Sequence, residues 1–483
     1  MTQQAIAANG HIRSCVKQEY SQFNGDRMDR AATISEIIDQ RPLSSFQITT
    51  MVLCGMVIVL DGFDTQSIGF LAPSIAETLR VSVKTFGPVF MAALIGLMIS
   101  SMTAGPIADR WGRKWPIVIC TLLFGTFALL TARSTSFNQV VLFRFLTGLG
   151  LGGAMSNVVA LMSEYAPKRL LAVFVTMLFC GMPAGALLGG LVSSVMLPRW
   201  GWQSVFYAGG ILPFVLALVL MKALPESVRF LEVSGADRRK IGNIMARISP
   251  ELRETPLSQS PISDQDLRRG MPVKHLFTEG RTVLTILLWI PYFMNLLILF
   301  LVVSWLPALL RQAGLPISAG ITAISLFSVG GIIGSFVEGY LMNWLGAQGV
   351  LTAEFGLSAL LIASLAFSAS LPVTMTITFA MGFMLEGAQG GLNALAATVY
   401  PTAIRATGVG WAMGIGRIGS IVGPMLGGMM LARDWGPREI FLAGTIPALC
   451  AVVATLLSSW LAKSSSGYRP KTEVLEKPPL SPS

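Results

Sequence analysis

Twelve times along this chain an apolar run recurs that is long enough to cross a lipid bilayer, and nothing else in the sequence constrains its fold as tightly. The runs lie at about 46–72, 86–108, 115–132, 137–163, 171–197 and 202–224, and again at about 282–309, 318–344, 350–370, 372–400, 407–431 and 440–461. A hydrocarbon core about 30 Å thick takes roughly 20 residues of helix. Inside it each backbone N–H and C=O must be satisfied within the segment, which a single run of this length achieves only as an α-helix. The expected fold is therefore an all-α membrane protein of twelve transmembrane helices. With 53% hydrophobic and 12% charged residues, the composition excludes a soluble globular chain.

Residues 225–281 are polar and divide the spans into two sets of six, so the chain reads as an N-terminal bundle (46–224), a central loop (225–281) and a C-terminal bundle (282–462). The tails, 1–45 and 463–483, read as cytoplasmic, the second as disordered. Cations cluster in loops on one side: Arg110, Arg113 and Lys114, then Lys168 and Arg169, then Arg238, Arg239, Lys240, Arg268, Arg269 and Lys274. The positive-inside rule then places both termini in the cytoplasm. The same distribution accounts for the net charge of +10 without nucleic acid, because the bases do not form one soluble face. The halves also repeat. Gly152-Gly153, Gly181, Gly185 and Gly189-Gly190 recur at constant offset as Gly390-Gly391, Gly419, Gly423 and Gly427-Gly428. Two independent packing seams are the plainer account; a duplicated six-helix unit explains the shared offset, so two pseudo-symmetric bundles are expected.

Charge inside a span is costly and marks ion or substrate paths. The first span holds Asp61 and Asp64, at roughly 2.5 to 3.5 kcal/mol each on the insertion scale. At i, i+3 they share a face, with Gly62 and Gly69 leaving the backbone open to close approach. Arg417 falls about 18 Å into its span, near mid-membrane, where its planar fork matches a carboxylate; pairing with a helix carbonyl or an acid is the structural alternative. Arg144 stands nearer the outer end and reads either way. Glu386, Gln389 and Asn393 form a stripe at i, i+3, i+7, facing a cavity or gluing two helices. Trp289, Tyr292, Phe293, Trp305 and Trp411 offer rings to an aromatic ligand, although Trp305, near a helix end, fits an interfacial anchor better. Both histidines, His11 and His275, lie outside the spans, which leaves Asp61, Asp64 and Glu386 to carry protons. Glu164 and Glu338 are placed to join charge pairs near the cytoplasmic ends; Glu354 has no evident role. No catalytic triad, Walker loop or metal-ligand cluster is present, so neither enzymatic activity nor a cofactor or metal is expected. The five cysteines are scattered singly and read as packing residues.

Between the second and third spans stands Gly105-Pro-Ile-Ala-Asp109-Arg110-Trp-Gly112-Arg113-Lys114, which resembles the loop signature of the major facilitator superfamily and would serve as a cytoplasmic latch. The corresponding loop of the second half keeps Gly339 and Gly346 but carries Asn343, Ala347 and Gln348 in place of acid and bases. Arg144-Phe-Leu-Thr-Gly148-Leu-Gly150-Leu-Gly152-Gly153 resembles that superfamily's second motif, and Pro225-Glu226-Ser227-Val228-Arg229 the start of the central loop in its sugar and organic-ion porters. Asp61-Gly-Phe-Asp64-Thr is similar to the first-helix signature of the aromatic acid:proton symporters. So are Phe293-Met-Asn295, Ser304-Trp305-Leu-Pro307, Gly387-Ala-Gln389-Gly-Gly-Leu-Asn393 and the run from Tyr400 through Arg405 and Trp411 to Arg417. The resemblance implies import of a benzoate or hydroxybenzoate with protons across the bacterial inner membrane; a monomer is the expected functional unit. Arg417, Arg144, Gln389, Asn393, Phe293, Asn295 and Trp411 would then meet the substrate. A proton-coupled drug exporter and a membrane sensor of aromatic acids are the alternatives.

Overall fold

A computed structural model describes residue 39 and residues 42–234, 238–248, 273–278, 281–368, 370–400 and 405–464. Most of the N-terminal tail, much of the central loop and nearly all of the C-terminal tail, with the expectations placed on them, lie outside these residues. Twelve described helices are long and apolar enough to span a membrane. They are α1 (Ser45–Leu79), α2 (Gly87–Trp111), α3 (Lys114–Ala132), α4 (Phe137–Tyr165), α5 (Gly181–Trp200) and α6 (Trp202–Ala223), then α7 (Thr282–Gln312), α8 (Ile317–Leu345), α9 (Ala347–Leu365), α10 (Leu371–Val399), α11 (Arg405–Ala432) and α12 (Pro437–Ser464). The fifth span is broken at Cys180, where a separate helix, Lys168–Phe179, runs into α5. Short helices Val228–Val233 and Arg238–Ile248 lie between the halves.

Local chemistry sets the helix ends. Ser44 and Gln47 form a capping box at the start of α1, and Ser136 and Ser370 cap α4 and α10. Gly112, Gly201 and Gly346, all at positive φ, end α2, α5 and α8. At Gly112 a Cβ would fall 2.5 Å from the Glu226 carboxyl. That carboxyl accepts the backbone N–H groups of Arg113 (2.6 Å), Lys114 (3.2 Å) and Ser227 (2.8 Å), so the Pro-Glu-Ser stretch supplies an acid to the orphan donors at the start of α3.

The repeat is visible in the packing. A Cβ on Gly185 of α5 would collide with the carbonyl oxygen of Val59 on α1, and one on Gly423 of α11 with that of Leu297 on α7; both partners, like both glycines, are 238 positions apart. Gly96 against Phe145 and Gly334 against Phe383 repeat the same way between α2 and α4 and between α8 and α10. Across the halves α1 packs on α7, α2 on α11 and α5 on α8, the pattern of a pseudo-twofold.

The apolar cores are arranged unequally. On the membrane face away from the chain ends, here the far face, one cluster joins both halves, running from Phe70, Ile75, Phe86 and Phe90 to Val303, Trp305, Leu306 and Phe441. On the face holding the ends, here the terminal face, the cores are separate. One contains Cys54, Val57, Leu161 and Met245, the other Leu288, Tyr292, Leu392 and Tyr400. At the far face Lys84 pairs with Asp434, and Arg311 with Glu77 at 3.3 Å, each ion pair tying one half to the other. The halves are thus joined at the far face by apolar and ionic contacts, whereas each terminal-face core belongs to one half.

Candidate functional site

Asp61 and Asp64 project from the middle of α1, only 1% and 2% exposed, and the structure gives them different partners. Arg144 of α4 donates Nη1 to both carboxylate oxygens of Asp64, at 3.0 and 2.8 Å, and its Nη2 lies 3.5 Å from the Asp64 carbonyl oxygen. Arg144 is wholly buried, with the Phe206 ring 5.9 Å from its guanidinium carbon. Its fork is therefore committed to an ion pair inside the N-terminal half. Of the two roles open to Arg144 in the sequence, ligand and structural partner, this arrangement uses the second.

Asp61 is less committed. Thr65, one turn on, donates to its Oδ1 at 3.0 Å, while Oδ2 is buried with no partner among the described residues. Arg417 of α11, in the other half, attracts it electrostatically, and Arg144 does so from its own half. Arg417 is half-buried although it lies near mid-membrane, and its Nη2 sits 3.4 Å from the Met155 Sδ of α4. Among the described residues no carboxylate hydrogen-bonds this guanidinium. A soft thioether stands where a strong acceptor would be expected, which leaves the fork available to an incoming anion.

The stripe on α10 divides. Glu386 is half-buried, packed so closely on α8 that a Cβ on Gly331 would come 2.7 Å from its Cγ, and it acts electrostatically on Cys180 in the opposite half. Gln389 and Asn393 are tied to α7. Asn295, fully buried, donates to Gln389 Oε1 (3.0 Å) and to the Leu385 carbonyl (3.1 Å), and the Tyr292 hydroxyl donates to Asn393 Oδ1 (2.8 Å). Both amides are half-buried.

The aromatic candidates separate as well. Trp411 and Trp289 stack at 6.1 Å, with Phe277 edge-on to Trp289 at 5.5 Å, and Trp411 is 45% exposed. Phe293 is half-buried, its carbonyl running under Gly419. Trp305 corrects the expectation of an interfacial anchor. Because α7 continues to Gln312, Trp305 lies two turns inside it, fully buried, donating Nε1 to the Pro424 carbonyl (2.9 Å) and packed edge-on to Phe90 (5.1 Å).

In the loop after α2, Arg113 donates Nε to Glu164 Oε1 at 2.8 Å, Glu164 in turn accepts the Ser227 hydroxyl, and Arg110 is exposed. Glu164 belongs to the N-terminal half and Ser227 to the start of the central loop, so these contacts hold the loop after α2 to its own bundle and not to the C-terminal half. The Asp109 side chain lies outside the described part of the structure, and Lys114 is half-buried. In the second half Gln348 reaches the Ser458 hydroxyl of α12 instead (3.1 Å). Sequence reasoning missed Met155, Thr65 and Phe206. Only Thr65, four residues after Asp61, carried a signal.

The family model described as Major Facilitator Superfamily matches residues 54–388, well over half the chain. The chain belongs to the major facilitator superfamily. It is thus a multi-pass membrane protein of a transporter family and not an enzyme. The 4-hydroxybenzoate transporter of Pseudomonas aeruginosa is 37% identical to this superfamily member over 90% of the chain and 97% of that protein. The gallate transporter of Pseudomonas putida is 38% identical over 89% and 95%. Among solved structures, the xylose transporter of E. coli in a partially occluded inward-open conformation superposes with a TM-score of 0.67 at 16% identity, over 86% of this chain and 98% of that one, which bears on the fold alone.

Proposed function

We propose that this protein imports a monocyclic aromatic carboxylate of the benzoate and hydroxybenzoate class together with protons, by alternating access, as a monomer in the bacterial inner membrane. The positive-inside distribution supports a cytoplasmic terminal face, and the conformation described is then inward-facing. The relatives that carry 4-hydroxybenzoate and gallate support the substrate class.

One observation carries the proposal: among the described residues no carboxylate hydrogen-bonds the half-buried Arg417 guanidinium, which touches Met155 of the other half, while Arg144 is ion-paired with Asp64. A carboxylate entering the cleft displaces the Met155 thioether and takes two N–H donors. Gln389 and Asn393 then meet ring substituents, and Phe293, Trp289 and Trp411 line the way for the ring. Asp61 is the coupling acid. While ionised it competes with the substrate for Arg417; once protonated it gives up that attraction and the substrate replaces it. Glu386, facing the same space from α10, is a second candidate for proton traffic. The latch role of Asp109, Arg110, Arg113 and Lys114 belongs to the opposite, outward-facing state, in which the terminal face closes.

Arg417→Lys tests the assignment, because an ammonium keeps the charge but not the fork. Binding of labelled 4-hydroxybenzoate to the purified variant is expected to fall at least tenfold and uptake in proteoliposomes to be mostly lost. Wild-type affinity would overturn it.

A further inference from the structure

Away from the central cleft, the C-terminal half buries two more acids. Glu338 of α8 and Glu354 of α9 are 3% and 4% exposed. The two carboxyls lie against one turn of α10, Gly387 to Gly391, and interact electrostatically. Among the described residues no N–H or hydroxyl donor reaches any of their four oxygens. The wall opposite is made of glycine. A Cβ on Gly391 of α10 would lie 2.2 Å from Glu338 Oε1, and one on Gly387 would lie 3.2 Å from Glu354 Oε1. Ser358, one turn on from Glu354 and on the same face, is fully buried with its hydroxyl also unpartnered. Among the described residues the other two fully buried acids, Asp64 and Asp61, have a cation and a hydroxyl donor respectively; this pair has neither.

Two ionised carboxylates cannot stay in contact in so dry a place, and two oxygens that only accept cannot bond one another. A single proton removes both difficulties: one carboxyl becomes a donor, the other its acceptor, and the net charge falls to one. We propose that Glu338 and Glu354 hold one proton between them and form a proton site in the C-terminal half, distinct from Asp61. Among described side chains, the helices packed on α8 and α9 bear Glu386 on α10, Arg281 and Arg311 at the ends of α7, Arg199 at the far-face end of α5, Arg438 and Glu439 at that end of α12, and Asp61, Asp64 and Glu77 on α1; none of them hydrogen-bonds either carboxyl.

The placement suits release to the terminal face. Glu338 lies seven residues before the end of α8 and Glu354 seven residues after the start of α9, each roughly 10 Å from that face by helix rise. Glu386 and Glu338 lie on one seam, where Gly331, Gly334 and Glu338 of α8 successively meet Glu386, Phe383 and Gly391 of α10. This seam offers the pair as a carboxylate acceptor for a proton leaving Glu386 toward the terminal face. At the pair one O–H bond breaks as another forms, and water at the face takes the proton released.

This extends the proton-symport reading and rests on it, so the test reads the bound proton separately from transport. Infrared difference spectra of the purified protein, taken in H2O and in D2O, are expected to show a protonated carboxylic-acid band that shifts with deuterium and disappears in both Glu338→Gln and Glu354→Gln. Absence of such a band, or its survival in both variants, overturns the proposal. Retained binding of 4-hydroxybenzoate verifies that each variant is folded, with Glu354→Asp as the conservative control that keeps the band. In proteoliposomes the reversal potential of Glu338→Gln is expected to report fewer protons per substrate than wild type. An unchanged stoichiometry overturns the release role. Loss of all proton coupling in wild type would count against symport itself and leave the infrared result standing.

Discussion

At the scale of single residues, the two aspartates of α1 differ by their partners. Asp64 and Arg144 are both stripped of water and rely on each other, so removing one leaves the other as an uncompensated buried charge, at a cost of about 3–5 kcal/mol. Asp64→Asn is therefore expected to lower the unfolding temperature in detergent markedly, and adding Arg144→Gln to recover part of the loss. Asp61→Asn should unfold close to wild type, because the amide still accepts from Thr65 and no cation is stranded in the same half. Equal destabilisation by the two single variants would count against the division of roles. The acids and Arg417 were legible in the sequence because a charge in a span has few bland explanations. Their pairing was not. Asp64 and Arg144 are 80 residues apart, and spacing carries no information about which of two acids on one face a distant arginine will meet.

Among the helices, the repeat supplies packing and the site supplies its exceptions. At the common offset Asp61 and Asp64 correspond to Leu299 and Val302, Arg144 to Gly382, Glu386 to Gly148 and Arg417 to Phe179. At these five positions the half without the charge is apolar or glycine. The glycine repeat was legible because close approach forbids a side chain: at Gly185 a Cβ would lie 1.9 Å from the Val59 carbonyl oxygen of α1. The break at Cys180 and the burial of Trp305 were not legible, since both depend on where neighbouring helices end. Gly185→Ala, whose Cβ would press on the Val59 carbonyl, is expected to lower the unfolding temperature clearly, and Gly423→Ala to do the same against Leu297. Gly356→Ala, with open space around it, should cost nothing and gain up to about 1 kcal/mol of helix propensity. Thermal unfolding of the three variants in one detergent makes the comparison.

For the molecule as a whole, the conformation lies beyond what a sequence can express, because the same residues must serve both the closed and the open arrangement of each face. Here the far face is closed by the joint apolar core and by two ion pairs. The Lys84 hydrogen bond and charge hold the Asp434 carboxyl below the ordinary carboxylate range. A depressed value means that this contact supports closure above the ordinary pKa and is lost as pH falls through the lowered one. Spin labels on Ser82 and Gly436 are expected to report wider separation as the pH drops below about 4. Asp434→Asn should widen the separation at neutral pH and remove that part of the response. The central claim is that Asp61 couples proton entry to carboxylate binding at Arg417. Its most direct test imposes a pH gradient on proteoliposomes at zero membrane potential and follows labelled 4-hydroxybenzoate. Wild type is expected to accumulate the substrate, while Asp61→Asn exchanges it across the bilayer without accumulation; full accumulation by Asp61→Asn would contradict the account.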